Sequence, residues 1–114
     1  MKKNESEELI SQLIKIADEK KAEHICRYEM GKDYFVSGSV VVLSHRNKIH
    51  CRALAEELNK FARQNGEIRV SGDPDSEWVI LDLMTDMIHI ISPQLREYYE
   101  LDKLFEKHGV VYHS

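Results

Sequence analysis

The chain reads as one α/β (α+β) domain, a mixed five-stranded sheet with flanking helices in the order α-β-β-α-β-β-β-α. Three observations predict this. Two long stretches repeat their apolar residues at helical spacing and separate groups of strand-forming residues. Val40-Val41-Val42-Leu43 is an unbroken, β-branched run suited to a central strand buried on both faces. Trp78 to Leu83 and Met87 to Ile91 are apolar runs joined by so short a link that they must pair antiparallel. Helices lie between groups of strands rather than after each one, so the sheet is expected to be mixed. At 114 residues the chain fits a single small domain. That domain is placed at residues 1–107, with a loosely held tail at 108–114.

The first helix is expected from about Glu5 to Glu19, with Leu9, Ile10, Leu13, Ile16 and Ala17 on one face. Asn4 and Glu7 resemble a capping box at its start. His24 to Met30 is the first strand, Gly31-Lys32 a turn, and Ser37-Gly38-Ser39 a kink or second turn ahead of the Val40 strand. The second helix runs from near Asn47 to Gln64 on Cys51, Leu54, Ala55, Leu58, Phe61 and Ala62, and Asn65-Gly66 supplies a left-handed stop. Glu67 to Val70 is a short strand. Ser71 to Ser76 carries turn residues throughout and reads as a loop. After the hairpin, Ser92-Pro93 has the residue types of an N-cap and first helical position. A short helix, Gln94 to Tyr99, follows, and Leu101 to Phe105 continues or restarts it.

Composition narrows the function classes. The chain is 42% hydrophobic and 32% charged, with a net charge of −4. It has no 18-residue apolar run, so no membrane span is expected. Its first eight residues lack the apolar stretch of a signal peptide, which predicts a cytoplasmic protein. Cys26 and Cys51 form no CxxC pair and read as free thiols. No Lys/Arg cluster marks a nucleic-acid face, so no direct, sequence-specific nucleic-acid partner is expected. An acidic chain is better suited to a basic protein partner.

The search for chemistry finds no catalytic, metal or cofactor site. His45 and His50 are five apart, not the spacing that sets two ligands on one helix face. Gly38-Ser39 matches the opening of a nucleotidyltransferase site, but that chemistry needs an Asp-x-Asp on a strand for two metal ions. The nearby Asp73-Pro74-Asp75 falls in a loop some thirty residues on. Cys26 and Cys51 each have a histidine near in sequence, which by itself brings no pair together in space.

The segment from Glu77 to Phe105 is different. Trp78, Ile80 and Asp82 alternate onto one strand face, and Val79, Leu81 and Leu83 onto the other. Two registers are open. Pairing Leu83 with Met87 across a three-residue loop sets His89 opposite Leu81. A two-residue loop sets it opposite Ile80, on the Trp78 and Asp82 side. Trp78 suits either the core or a partly exposed anchor. Trp, Tyr and Arg are the types enriched at interface hot spots, and Trp78, Arg96, Tyr98 and Tyr99 bring all three into one hairpin-helix unit. Arg96 could instead form a surface pair with Glu100, four residues on.

Glu77-Trp78-Val79-Ile80-Leu81-Asp82, then His89, then Arg96-Glu97-Tyr98-Tyr99-Glu100-Leu101-Asp102-Lys103-Leu104-Phe105 resembles the Iojap or ribosomal silencing factor family. That family has a similar run: Trp, hydrophobics, Asp, a His seven residues later, then Arg-x-x-Tyr-x-Leu-x-x-Leu and an aromatic. Lys20-Lys21-Ala22-Glu23 and Ala53-Leu54-Ala55 also match. The chain departs from the pattern at Met84-Thr85, where the family has Gly and Asp, and at Ser44 to Lys48, where it has a Ser-Gly-Thr-Ser-Ser-like turn. Ser39 stands for an Asp and Phe105 for a Trp.

The resemblance implies a nucleotidyltransferase-like topology without that enzyme's metal-binding carboxylates. It also implies a translation repressor that is not an enzyme. Its partner would be the fourteenth protein of the large ribosomal subunit, on the face that meets the small subunit, so that bound repressor sterically blocks subunit joining. The expected contact residues are Trp78, Asp82, Met84, Arg96, Tyr98 and Tyr99. A residual nucleotidyltransferase-fold enzyme and a dimeric scaffold are the alternatives, and a homodimer could compete for the Trp78 surface.

Overall fold

A computed structural model describes residues 3–30, 38–108 and 110–113, with side chains over 7–30 and 38–107. Its helices are α1 (Lys3–Glu19), α2 (Lys48–Arg63) and α3 (Pro93–Tyr98). Its strands are β1 (Glu23–Glu29), β2 (Ser39–Ser44), β3 (Arg69–Asp73), β4 (Trp78–Asp82), β5 (Met87–Ile91) and β6 (Val110–His113). The fold is the expected mixed α/β one. The strands lie in the order β3-β4-β5-β2-β1-β6, with β2 and β5 parallel and every other neighbour antiparallel. The sixth strand is an addition: Val110–His113, read from sequence as a tail, pairs with β1.

The apolar run behaves as its composition dictates. All six residues of β2 are buried, because the strand sits between β5 and β1 with both faces covered. On one face α1 and α2 pack Leu9, Ile10, Leu13, Leu54 and Leu58 against Ile25, Val41, Leu43, Leu81, Ile88 and Ile90. On the other face, Cys26, Tyr28, Val40, Val42 and Ile91 are roofed by Leu101, Phe105 and Leu95 of the C-terminal segment. Cys26 and Cys51 are buried in these two different cores as free thiols. Burial pushes the Cys51 thiol up to about 11, which keeps it protonated.

Local chemistry sets the element ends. Asn47 caps α2 by accepting from the His50 backbone N–H at 2.8 Å. At the other end Gln64 stays right-handed (φ −70°), and the Asn65 amide donates to the Phe61 carbonyl at 2.9 Å, in place of the expected left-handed stop. The helix α1 starts at Lys3, ahead of the expected cap, and the Asn4 side chain lies outside the described residues.

The strand β3 starts two residues later than expected and runs on past Val70 into the expected loop, because Ser71-Gly72-Asp73 is extended and pairs with Ile80, Val79 and Trp78. Gly72 makes this possible. Its φ is +75°, and a Cβ there would sit 2.1 Å from the Trp78 carbonyl oxygen.

Candidate docking site

The Leu83 N–H donates to the Asp86 carbonyl at 2.8 Å and closes a two-residue loop, Met84-Thr85, which is the second of the two registers open from sequence. Asp82 therefore faces Met87, Ile80 faces His89 and Trp78 faces Ile91. Direct partners share a sheet face, so His89 stands beside Trp78. The link holds Met84 at φ +77°, a left-handed backbone on a non-glycine residue. Asp82 supports that turn by accepting from the Met84 N–H at 2.9 Å.

Trp78 is half-buried at the margin of the C-terminal roof. Its Nε1–H donates to His89 Nδ1 at 3.1 Å, and its ring lies 5.5 Å from that of Tyr99. Tyr98 meets Tyr99 edge-on at 4.9 Å. Trp78, Ile80, Leu95 and Tyr99, with Gly72 and Ser76, line a groove of about 370 Å³. Tyr98 and Tyr99 are 77% and 54% exposed, high values for large aromatics beside an apolar groove.

The groove's outer wall is α3, and two devices hold it. Ser92 Oγ accepts from the Leu95 N–H at 3.2 Å and Pro93 opens the helix, as the sequence predicts. The second device is Arg96. Its Nε and Nη2 reach the two Asp102 oxygens at 2.7 and 2.8 Å, and Nη1 donates to the His24 carbonyl and Ser44 Oγ at 2.7 and 3.0 Å. Tyr28 OH donates to the same carboxylate. Burial pushes Asp102 upward, but the Arg96 and Tyr28 hydrogen bonds and the Arg96 charge outweigh it and hold the carboxyl below its ordinary value. Burial alone takes the His89 imidazole down to about 4, against a weaker upward pull from the Asp102 charge.

The six residues expected at the contact thus divide. Trp78, Tyr98 and Tyr99 are brought together on one open surface. Met84 is 59% exposed but lies beyond the far end of β4, in a separate concavity with Arg63, Gly66, Ile68 and Arg69. Asp82 is engaged by the turn. Arg96 faces inward, its side chain 11% exposed, and pairs with Asp102, while Glu100 pairs with Lys103. Leu95, Ile80 and Gly72 were not expected at the groove. Ile80 was legible from strand alternation, whereas Gly72 and Leu95 reach it only through tertiary packing.

Gly38-Ser39 has a local role. The Gly38 N–H donates to Thr85 O at 2.9 Å, the Ser39 N–H to Asp86 Oδ1 at 2.7 Å, and a Cβ on Gly38 would collide with Asp86. Asp73 sits beside Trp78, at the opposite end of β4 from that contact. Among the described residues no three His, Cys, Asp or Glu side chains gather as a metal site.

Residues 3–113 match the family described as ribosomal silencing factor during starvation. The chain belongs to this family. It is 29% identical over 102 residues to the ribosomal silencing factor of Halalkalibacterium halodurans, covering 88% of this chain and 87% of that one. The Bacillus subtilis factor is 28% identical, covering 82% and 84%. A mouse protein named for mitochondrial assembly of the ribosomal large subunit is 25% identical over 84% of this chain and 44% of its own length. A Bacillus halodurans crystal structure superposes with a TM-score of 0.79 at 29% identity, covering 93% of this chain and 98% of that one. A Chromobacterium violaceum structure, at 22% identity, shares the fold with a TM-score of 0.80, covering 87% and 84%. A ribosomal silencing factor regulates translation through the ribosome, and that defines this protein's class. No helix among the described residues is long and apolar enough to cross a membrane.

Proposed function

We propose that this silencing factor binds the large ribosomal subunit through its fourteenth protein and, by occupying that surface, blocks joining of the small subunit and so represses translation in the cytoplasm. The observation that carries the reading is the open Trp78–Tyr99 groove. A half-buried tryptophan beside two exposed tyrosines has the residue chemistry of a hot spot. No catalytic group is invoked. The net charge of −4 supports a basic protein as the surface met. The name of the mouse relative supports the large subunit as the particle.

Co-sedimentation with separated ribosomal subunits tests this. The protein is expected to pellet with the large subunit and not with the small one. Trp78→Ala should weaken that binding at least about tenfold, the loss typical of a hot-spot aromatic, while the fold is retained. Unchanged affinity in a folded Trp78→Ala protein would remove the anchor from Trp78.

A homodimer is a second reading, favoured by β3. This strand is a sheet edge exposed along its whole length. Two copies paired antiparallel about Ser71 would set each Arg69 against an Asp73. Light scattering of Ser71→Pro against wild type decides it, because proline removes an edge donor.

A further inference from the structure

Trp78 Nε1 can only donate, so the His89 nitrogen that meets it must accept, and a neutral imidazole then carries its proton on Nε2. That ring is tightly held. His89 is 6% exposed, faces Ile80 on β4 and Val42 on β2, and lies 5.9 Å from both Trp78 and Phe105 by ring centroids. Its Nε2 meets no hydrogen-bond partner among the described residues. A purely apolar side chain would fill this position without stranding a buried nitrogen, so the imidazole needs a reason to be here. The Trp78 bond is the polar contact that supplies one.

A half-buried indole at the rim of a groove has rotational freedom that packing from one side does not remove. Anchoring its N–H to the sheet takes that freedom away before a partner arrives. It also decides which chemistry the partner meets. We propose that His89 is a positioning residue: its Nδ1 holds the Trp78 N–H against the sheet, so that the carbon edge of the indole, and no hydrogen-bond donor, faces the groove. The matching partner group is an aliphatic side chain, not a carbonyl seeking a donor. This rests on the reading that Trp78 is the docking anchor.

The test compares large-subunit co-sedimentation of wild type, His89→Phe, His89→Asn, Trp78→Phe and the double variant Trp78→Phe/His89→Phe. Phenylalanine keeps a ring and removes the acceptor, whereas the asparagine Oδ1 falls near the place of Nδ1. His89→Phe is expected to bind roughly fivefold more weakly, the worth of one lost hydrogen bond, and His89→Asn to stay within about twofold of wild type. On the Trp78→Phe background His89→Phe should cost nothing further, since the donor is already gone.

Trp78 is the chain's only tryptophan, so its emission reports the bond directly. A shift on His89→Phe that is absent on His89→Asn is expected. His89→Leu stands in if the phenylalanine ring does not fit. Wild-type binding by folded His89→Phe, or an equal loss on the Trp78→Phe background, overturns the proposal. Unchanged binding by Trp78→Ala overturns the docking reading instead, and leaves the emission result to decide the positioning role by itself.

Discussion

Arg96 shows how one side chain can determine whether a surface exists. By residue type it belongs at a contact, yet its guanidinium faces inward and ties α3 to Asp102, the His24 carbonyl and Ser44. Its partner was not legible because Asp102 is six residues away, beyond helical reach. Glu100, at φ +48°, turns the chain back to bring it there. Arg96→Ala should lower stability by about 3 kcal/mol in urea denaturation, since it leaves Asp102, the His24 carbonyl and Ser44 Oγ poorly matched. Arg96→Lys should recover less than half, because an ammonium cannot span a bidentate carboxylate and the opposite acceptors together. The pH sign follows from Asp102, whose folded pKa is lowered. Its contribution is present above the ordinary carboxylate range and is lost as pH falls through the depressed folded value. The difference between wild type and Arg96→Ala should therefore shrink only in strong acid.

At the level of elements, periodicity was a reliable guide where packing agrees with it. The helices α1 and α2 and the doubly buried β2 could be read from spacing because each buries the stripe its sequence displays. The hairpin was legible, but its register was not. No glycine marks the left-handed residue of its turn, and Met84 takes that role with Asp82 holding it. The strand β3 was misplaced because Ser71-Gly72-Asp73 is turn-forming chemistry held extended by β4. The groove was half legible. Trp78 and Tyr99 announce themselves by type, whereas Leu95 and Gly72 enter through the third dimension. Gly72→Ala puts a Cβ against the Trp78 carbonyl at a positive φ. It should destabilise the protein by about 2 kcal/mol and loosen the strand that positions the anchor. Ser92→Ala, which removes the α3 cap, should cost about 1 kcal/mol. Urea midpoints measure both, and Gly72→Ala should also weaken subunit binding more than its stability loss explains.

For the whole molecule, the arrangement is a sheet with two unlike cores, one beneath helices and one beneath a short C-terminal roof. The roofed core contains an ionisable ring, and this gives the fold a predictable acid response. His89 in the unfolded chain takes up a proton near pH 6.5, while in the folded chain burial delays this to about 4. Between those values the unfolded state binds more protons, so stability must fall as the pH falls, and it is regained as pH rises. The gap corresponds to about 3 kcal/mol from this one residue. Charging the ring would also turn Nδ1 into a donor facing the Trp78 N–H, so the bond that sets the indole is lost with the same proton. Urea denaturation between pH 7 and pH 4 should show wild type losing stability across this window and His89→Asn losing correspondingly less. Trp78 emission should stay native-like until the pH approaches 4. A native-state emission change centred near pH 6.5 would mean that the ring is open to water and that the roof does not seal this core.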